Sequence, residues 1–589
     1  MKKTIINLCL PALLACHAAV AAGQGVFTLP TTEEQTNNII RMKGQISDVP
    51  TVYIWMLDAE TNAEGTKPME YKPEGSTDKN DVYYKIKLNG SSSYDTPISN
   101  NIISATPSIT DNAALRPNYG YENPYYYNNN VTKSEEYRLA RIKVVDGYGS
   151  IKTRDELTTI RGRGNSTWWC EKKAYRLKFP SKTKLLANGD GTNEYADAKN
   201  WTLLANAADK TMLRNALTRE VGLRIEEKTG LKALPYYPAY QFVDLVINDS
   251  YRGTYQISDH NQIQKGRVEI NSDRGWFLEA VTGDSFVEAP YVTIGAGSNT
   301  CVVNVKNPED EFLTDEVKAE ITDYLSKAFL STVQYAPGTN DFSEETGLFK
   351  YVDMESLVAY TIGNEITGNY DGLISNYVYR DINEGDKLKF GPLWDFDIAY
   401  GNYGNMEKAF VYQSEKYSNL KYRVQYLMEN CPAFTNLLAM RWKQVYDNGS
   451  LITYLHEKVD KIAAEMQYSR QLNYTPRANG GAGWEINSDM LGWGVKTYQD
   501  YASAINDVKS FISTHVEFLN TEIRKMQTDV EQGDVNMDGK VDASDLVRVV
   551  KHITKENTSL SEDQIRLADM NNDSQITVTD AMKIVDKME

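Results

Sequence analysis

Asn364-Glu-Ile-Thr-Gly-Asn-Tyr-Asp371-Gly-Leu-Ile-Ser-Asn376-Tyr-Val-Tyr-Arg380 runs through a polar turn at Gly385 into Lys387-Leu-Lys-Phe-Gly-Pro-Leu393 and Trp394-Asp395-Phe396-Asp397. An Asp is followed five residues later by an Asn. Tyr377 to Arg380 and Lys387 to Leu393 read as two strands joined by the turn. Two carboxylates then stand beside bulky Trp394 and Phe396, where they are costly to bury unless a metal or cation compensates. If the second strand continues, Asp395 and Asp397 share one face. One short segment thus offers a proton acceptor, Asp371, and three oxygen ligands for a cation, Asn376, Asp395 and Asp397.

Around this segment lies a chain of 589 residues with 41% apolar and 24% charged content, long enough for two or more domains. Its net charge of −17 argues against nucleic acid or an anionic membrane as the main partner. Lys2, Lys3, the apolar stretch from Ile5 to Ala15 and the small residues Ala19-Val20-Ala21 form an export signal over residues 1–22, placing the protein outside the cell or on its surface. Leu13-Leu14-Ala15-Cys16 offers the alternative of lipid attachment at Cys16, the one route to a membrane. Cys170, Cys301 and Cys431 then remain; their odd number and spacing imply neither a disulfide framework nor a metal site.

Residues 23–130 form a β-rich region with strands at Thr51–Leu57 and Val82–Leu88 and a Tyr/Asn-rich loop at Pro124–Asn130. Further strands are expected at Ala140–Asp146, Leu157–Arg161 and Lys173–Phe179. In the last, Arg176 and Lys178 share one face and Lys173 takes the other. A helix should start at Asp209, with Glu220 on the apolar face made by Leu213, Ala216 and Leu217. A carboxylate there wants a cation. Phe242–Asn248 and Tyr251–Ile257 read as a hairpin, and Phe434 to Met526 as mostly helical, interrupted around Asn479–Gly483.

Near the C-terminus, Asp534, Asn536, Asp538, Asp542 and Asp545 occupy positions 1, 3, 5, 9 and 12 of a loop. Gly539 holds the sharp-turn position, and Lys540 offers its carbonyl at position 7. Ca²⁺ requires such a set of hard oxygen donors in one tight loop. The pattern repeats 35 residues later with Asp569, Asn571, Asp573, Gln575, Thr577 and Asp580, with Ser574 in place of the glycine. Asp at position 12 and a helix after each loop (Leu546–Ile553, Ala581–Val585) make the pair resemble a type I dockerin. That resemblance implies a small, all-α, Ca²⁺-folded module over 527–589 that binds a cohesin. Recognition would centre on Ala543-Ser544 and Val578-Thr579.

The middle of the chain resembles the CotH family of spore-coat-protein-H-like atypical kinases. Arg161-Gly-Arg-Gly-Asn-Ser-Thr-Trp168, Lys172-Lys-Ala-Tyr-Arg-Leu-Lys-Phe179, Asn200-Trp-Thr-Leu-Leu-Ala-Asn206, Asp209-Lys-Thr-Met-Leu-Arg-Asn215, Tyr251-Arg-Gly-Thr-Tyr255 and Trp394-Asp-Phe-Asp397 carry the likeness. It implies an α+β protein with a divergent two-lobed kinase-like domain over 131–526, using ATP with Mg²⁺ or Mn²⁺ on Ser or Thr of a protein substrate. In kinases a catalytic Asp precedes a metal-binding Asn by five residues, and a hairpin delivers a second metal-binding Asp. By that analogy Asp371 is the base and Asn376, Asp395 and Asp397 hold metal. Lys178 and Arg176 meet phosphate, and Glu220 supports a phosphate-binding cation. Gly368-Asn369-Tyr370 stands where kinases carry His-Arg. The alternatives are an inactive, structural pseudokinase in a cellulosome-like assembly and a carbohydrate-active enzyme, since Asp395-Phe396-Asp397 is also a D-x-D.

Overall fold

The computed structural model describes residues 49–87, 92–100, 136–145, 156–164, 166–185, 197–247, 250–281, 287–295, 300–330, 341–344, 346–373, 375–413, 419–479, 481–528, 530–556 and 560–588. The export segment with Cys16, Leu88, the loop at 124–130, Asp146 and the hairpin turn at 248–249 lie outside them.

β1 (Thr51–Met56) is followed by a small two-stranded sheet of β2 (Tyr84–Ile86) and β3 (Thr96–Ile98). Then come β4 (Arg138–Val145), β5 (Glu156–Arg163), β6 (Ala174–Thr183), β7 (Ala198–Leu204), helix α1 (Arg214–Thr229), β8 (Tyr240–Ile247) and β9 (Ser250–Asp259). Seven of these strands close a barrel in the order β1-β4-β5-β6-β7-β9-β8, with β8 returning parallel to β1. Apolar residues at every second position fill its interior: Ile54, Ile142, Leu177, Trp201, Leu203 and Val243 are fully buried. β1, from the region 23–130, is thus part of this barrel. β1 pairs with β4 and β8, and the barrel cannot close without it.

A second sheet runs β11-β12-β10-β13-β14, from β10 (Trp276–Val281), β11 (Tyr291–Ile294), β12 (Cys301–Asn307), β13 (Ser375–Arg380) and β14 (Lys389–Phe390). Helices α2 (Asp315–Leu325), α3 (Met354–Thr367), α4 (Asn419–Asn430), α5 (Pro432–Tyr446), α6 (Ser450–Glu465) and α8 (Tyr501–Met526) share a core with it, while α7 (Gln467–Tyr474) packs on the barrel, where Asn473 accepts the Thr254 N–H of β9 (3.1 Å). α1 shares their core through Leu213, Leu217 and Val221. The C-terminal module adds α9 (Ala543–Thr554), α10 (Glu562–Ala568) and α11 (Val578–Lys587) around its own small core.

The helix expected from Asp209 begins five residues later. The buried Asp209 carboxylate accepts the backbone N–H of Thr211 and of Arg214 (both 2.9 Å) and pairs with the Arg214 guanidinium. This folds residues 209–213 into a tight turn, with Met212 at φ 59°, before the helix starts. Cys170, Cys301 and Cys431 are buried thiols. Among the described residues no helix is long and apolar enough to cross a membrane.

Candidate functional site

A cleft of about 830 Å³ lies between the barrel and the second sheet. Its barrel wall carries Arg161 and Arg163 from β5, Arg176 and Lys178 from β6, and His260 just after β9. Its opposite wall carries Asp371, Asp395 and Asp397, with Glu279 from β10. Alternation in β6 explains the cationic wall: Tyr175, Leu177 and Phe179 turn into the barrel, which leaves Arg176 and Lys178 outside. Arg176 donates to Asn200 Oδ1 (3.1 Å), while Lys178 is exposed at the rim. Burial, reinforced by neighbouring Arg161 and Arg163, lowers the Arg176 pKa from its ordinary value. Burial likewise holds His260 well below the usual imidazole range, with Arg176, Arg267, Arg163 and Arg161 adding to it. Such crowding of cations favours an anion between them.

The carboxylate wall is held from behind. Asp371 opens a short 3₁₀ turn over Asp371–Leu373. Buried Asn369 accepts the Gly372 N–H (3.1 Å) and donates to Asn364 of α3 (3.3 Å), fixing that turn on the helix. Asp395 takes the left-handed conformation (φ 71°), which is uncommon for a residue other than glycine. The following Phe396 N–H bonds Asn215 Oδ1 on α1 (2.8 Å), and the Asp397 carbonyl accepts from Asn402 (2.8 Å). Enclosure by the cleft walls pushes the Asp395 pKa up, to about 6. Arg163 opposes the rise, and Asp371 and Glu279 add to it. Burial, then Asp395, then Asp371 drives Asp397 well above the carboxylate range. A cation between these groups would relieve both. Among the described residues no three His, Cys, Asp or Glu side chains are yet gathered closely enough to hold a metal by themselves. Ligand phosphate oxygens would have to complete such a site.

Three expectations need correction. β14 ends at Phe390, so Asp395 and Asp397 do not converge by strand alternation; the left-handed turn at Asp395 brings both to the cleft. Asn376 does not face the cleft. β13 alternates, sending Ser375 and Tyr377 into the cleft and Asn376 to the other face, where its Oδ1 accepts the Tyr360 hydroxyl of α3 (3.0 Å). Glu220 is likewise removed from the cleft. It pairs with Lys458 of α6 (2.6 Å) and accepts from Tyr454 (3.2 Å), a link between helices. Glu220→Gln should therefore leave the cleft unaltered and cost about 1–3 kcal/mol in denaturant unfolding, because it leaves the Lys458 amine without its buried partner charge.

The structure gives roles to three groups whose function the sequence left open. Arg163 stacks over the Trp394 ring (5.5 Å) and is the cation acting on both Asp395 and Asp397. Its cue is Arg161-Gly-Arg-Gly164, where Gly162 leaves room for the Trp168 ring and Gly164 turns at φ 99°. Lys306 of β12 bridges Glu279 (2.8 Å) and Glu288 (2.7 Å), and Ser375 donates to Glu279. No local pattern marks this network, because its members come from separate strands. The third is Asn369.

The two C-terminal loops share most of their backbone bonding, although the position-12 Asp accepts from position 3 in the first and from position 2 in the second. In the first, Asp534 accepts from the N–H groups of Asp538 (3.0 Å) and Gly539 (2.9 Å), and Asp545 from those of Asn536 (2.8 Å) and Asp542 (2.9 Å). In the second, Asp569 accepts from Asp573 (3.1 Å) and Ser574 (2.8 Å), and Asp580 from Met570 (3.0 Å) and Thr577 (2.9 Å). Ser574 adopts φ 64° where Gly539 has 91°, so the serine does not change the loop's path. Burial raises Asp534 to about 7 and Asp545 to about 6, with neighbouring loop carboxylates adding to the rise. A cation bound in the loop would relieve that repulsion. The remaining members, Asn536, Asp538, Lys540, Asp542, Asn571, Asp573, Gln575 and Thr577, stand at the same positions in their loops.

The family model described as CotH kinase protein matches residues 160–519, and that of the dockerin type I domain matches residues 532–589. Among curated proteins no relative matches the chain. Type I dockerin domains bind calcium, and they bind cohesin modules.

Proposed function

The chain belongs to the CotH kinase protein family, and from that premise we propose that it is an ATP- and Mg²⁺-dependent phosphotransferase attached through its dockerin to a cohesin-bearing extracellular or cell-surface assembly. In this reading the barrel and the second sheet with its helices are the two lobes of a kinase-like fold. The observation that carries it is the bipolar cleft, with Arg161, Arg163, Arg176 and Lys178 facing Asp371, Asp395 and Asp397. Cations on one wall suit phosphate oxygens; carboxylates on the other would suit a divalent metal. Asp395 and Asp397 hold the metal, and Asp371 accepts the proton of the attacking hydroxyl. Bound Mg²⁺ would neutralise charge on the transferred phosphoryl group. Arg163, stacked over Trp394 and attracting both carboxylates, orients the metal-binding turn.

One observation favours a second reading. With Asn376 turned to Tyr360, the cleft lacks the Asn ligand of ordinary kinases, as expected of a protein that binds nucleotide without transferring phosphate. The two readings share a first test: calorimetric titration of Mg·ATP into the calcium-loaded protein. Metal-dependent binding, lost in Asp395→Ala, is expected; no binding with Mg²⁺ or Mn²⁺ rejects both. ADP release on turnover then separates them.

The dockerin supplies the attachment. Val578, Met582 and Val585 recur at i, i+4 and i+7 on α11 and are 62%, 63% and 49% exposed. An apolar stripe left in water at helical spacing is a face for a partner, here the cohesin.

A further inference from the structure

The first calcium loop is packed differently from the second, although their fourth positions share one backbone conformation. Met537 and Asn572 occupy the fourth position of the two loops and share the left-handed conformation (φ 61° and 58°). Met537 is only 4% exposed and belongs to the hydrophobic core of the body that includes α5 and α8. Asn572 is exposed. The same turn therefore carries an apolar plug in one repeat and a solvated amide in the other. Asn436 of α5 fastens the plug: its Nδ2 donates to the Met537 carbonyl (2.8 Å), and its Oδ1 accepts the Thr528 N–H (2.9 Å). A second contact lies on the helix that follows the loop. Arg548 of α9 pairs with Glu344 of the body (3.0 Å), which also holds Lys387 (3.1 Å). The residue 35 positions on is Lys583, whose amine points instead at the Met570 carbonyl within its own module (3.4 Å).

We propose that the dockerin is docked on the CotH body through its first calcium loop, with Met537 as the plug, so that calcium bound in that loop stabilises the body as well as the dockerin. The argument is mechanical. Met537 lies between Asn536 and Asp538, two ligand positions of one tight loop, and ordering the loop around a cation sets the backbone that aims its side chain. An ion that binds the folded loop and not the unfolded one stabilises whatever the loop is packed against. The inference rests on the calcium reading of the loops and is independent of the nucleotide reading of the cleft.

All nine tryptophans lie between Trp55 and Trp493, so tryptophan fluorescence reports the body and not the dockerin. The test is a thermal melt of the full chain followed by that signal, in chelator and in saturating Ca²⁺, with calcium uptake measured in parallel by calorimetry. Calcium at about one hundred times its dissociation constant should raise the tryptophan midpoint by roughly 3 °C or more. Met537→Ser should lose most of that rise while still taking up calcium in both loops. Asn572→Ser, at the matching position of the second loop, should keep it. A midpoint that ignores calcium in protein that calorimetry shows to be loaded overturns the proposal, as does an equal rise in Met537→Ser. No calcium uptake by the wild type removes the calcium reading and the proposal together.

Discussion

Asp371→Asn should lower ATP turnover, followed as ADP release, by about 10²–10⁴-fold, the usual contribution of a positioned general base. Mg·ATP affinity should stay within about threefold of wild type, because the change keeps the side chain's shape and Asp371 is not assigned to the metal. The geometry makes the contrast sharp. Asp371 sits on a turn fixed from behind by Asn369 and Asn364, whose bonds run to Gly372 and Asn369 and leave the Asp371 side chain in the cleft. Asn at this position therefore removes the proton acceptor without freeing the turn. An equal fall in affinity and turnover would make Asp371 a binding residue. Unchanged turnover would place the base elsewhere and favour a role without catalysis.

Stripping calcium with a chelator should melt the dockerin and leave the body folded. The module is small, and its core of Val535, Val541, Val549, Leu560, Ala568, Ala581 and Ile584 is modest. Domains of about 60 residues are marginal on burial alone and often need a metal. Asp534, Asp545 and Asp580 are fully buried carboxylates, and Asp569 nearly so. Deprived of a cation, each loop gathers like charges at close range, which opposes folding at neutral pH. Far-UV circular dichroism should lose the share contributed by α9, α10 and α11 while the α5–α8 signal persists. Asp534→Ala should imitate the chelator for the first loop, because it removes both a ligand and the acceptor for the Asp538 and Gly539 N–H groups. Full retention of helix in chelator would show that burial suffices and that the loops do not need calcium to fold.

Some parts of the site were written locally and could be read without a fold. The calcium loops are one such part: all their ligands fall within twelve consecutive residues, and the backbone of a tight loop leaves them little choice of direction. The shared face of Arg176 and Lys178 is another, since strand alternation alone determines it. The hairpin of β8 and β9 and the helical stretch after Phe434 follow from periodicity and turn residues in the same way. α1 starts beyond Asp209 because that carboxylate is committed to the Thr211 and Arg214 N–H groups and to the Arg214 guanidinium, which folds a tight turn ahead of the helix.

The sequence by itself determined that Arg176 and Lys178 share a face, which candidate calcium ligands repeat, and which family the chain resembles. All of these depend on residue type and on spacing within a few positions. Only the tertiary structure decided which face of β13 meets the cleft, and so that Asn376 serves Tyr360 rather than a metal. It also decided that β1 closes the barrel, that Glu220 joins two helices, and that Met537 is a plug while Asn572 is not. Spacing fixes two residues relative to each other only as far as a single element extends. Which side of that element is buried depends on what packs against it, and those neighbours lie tens to hundreds of residues away in the chain.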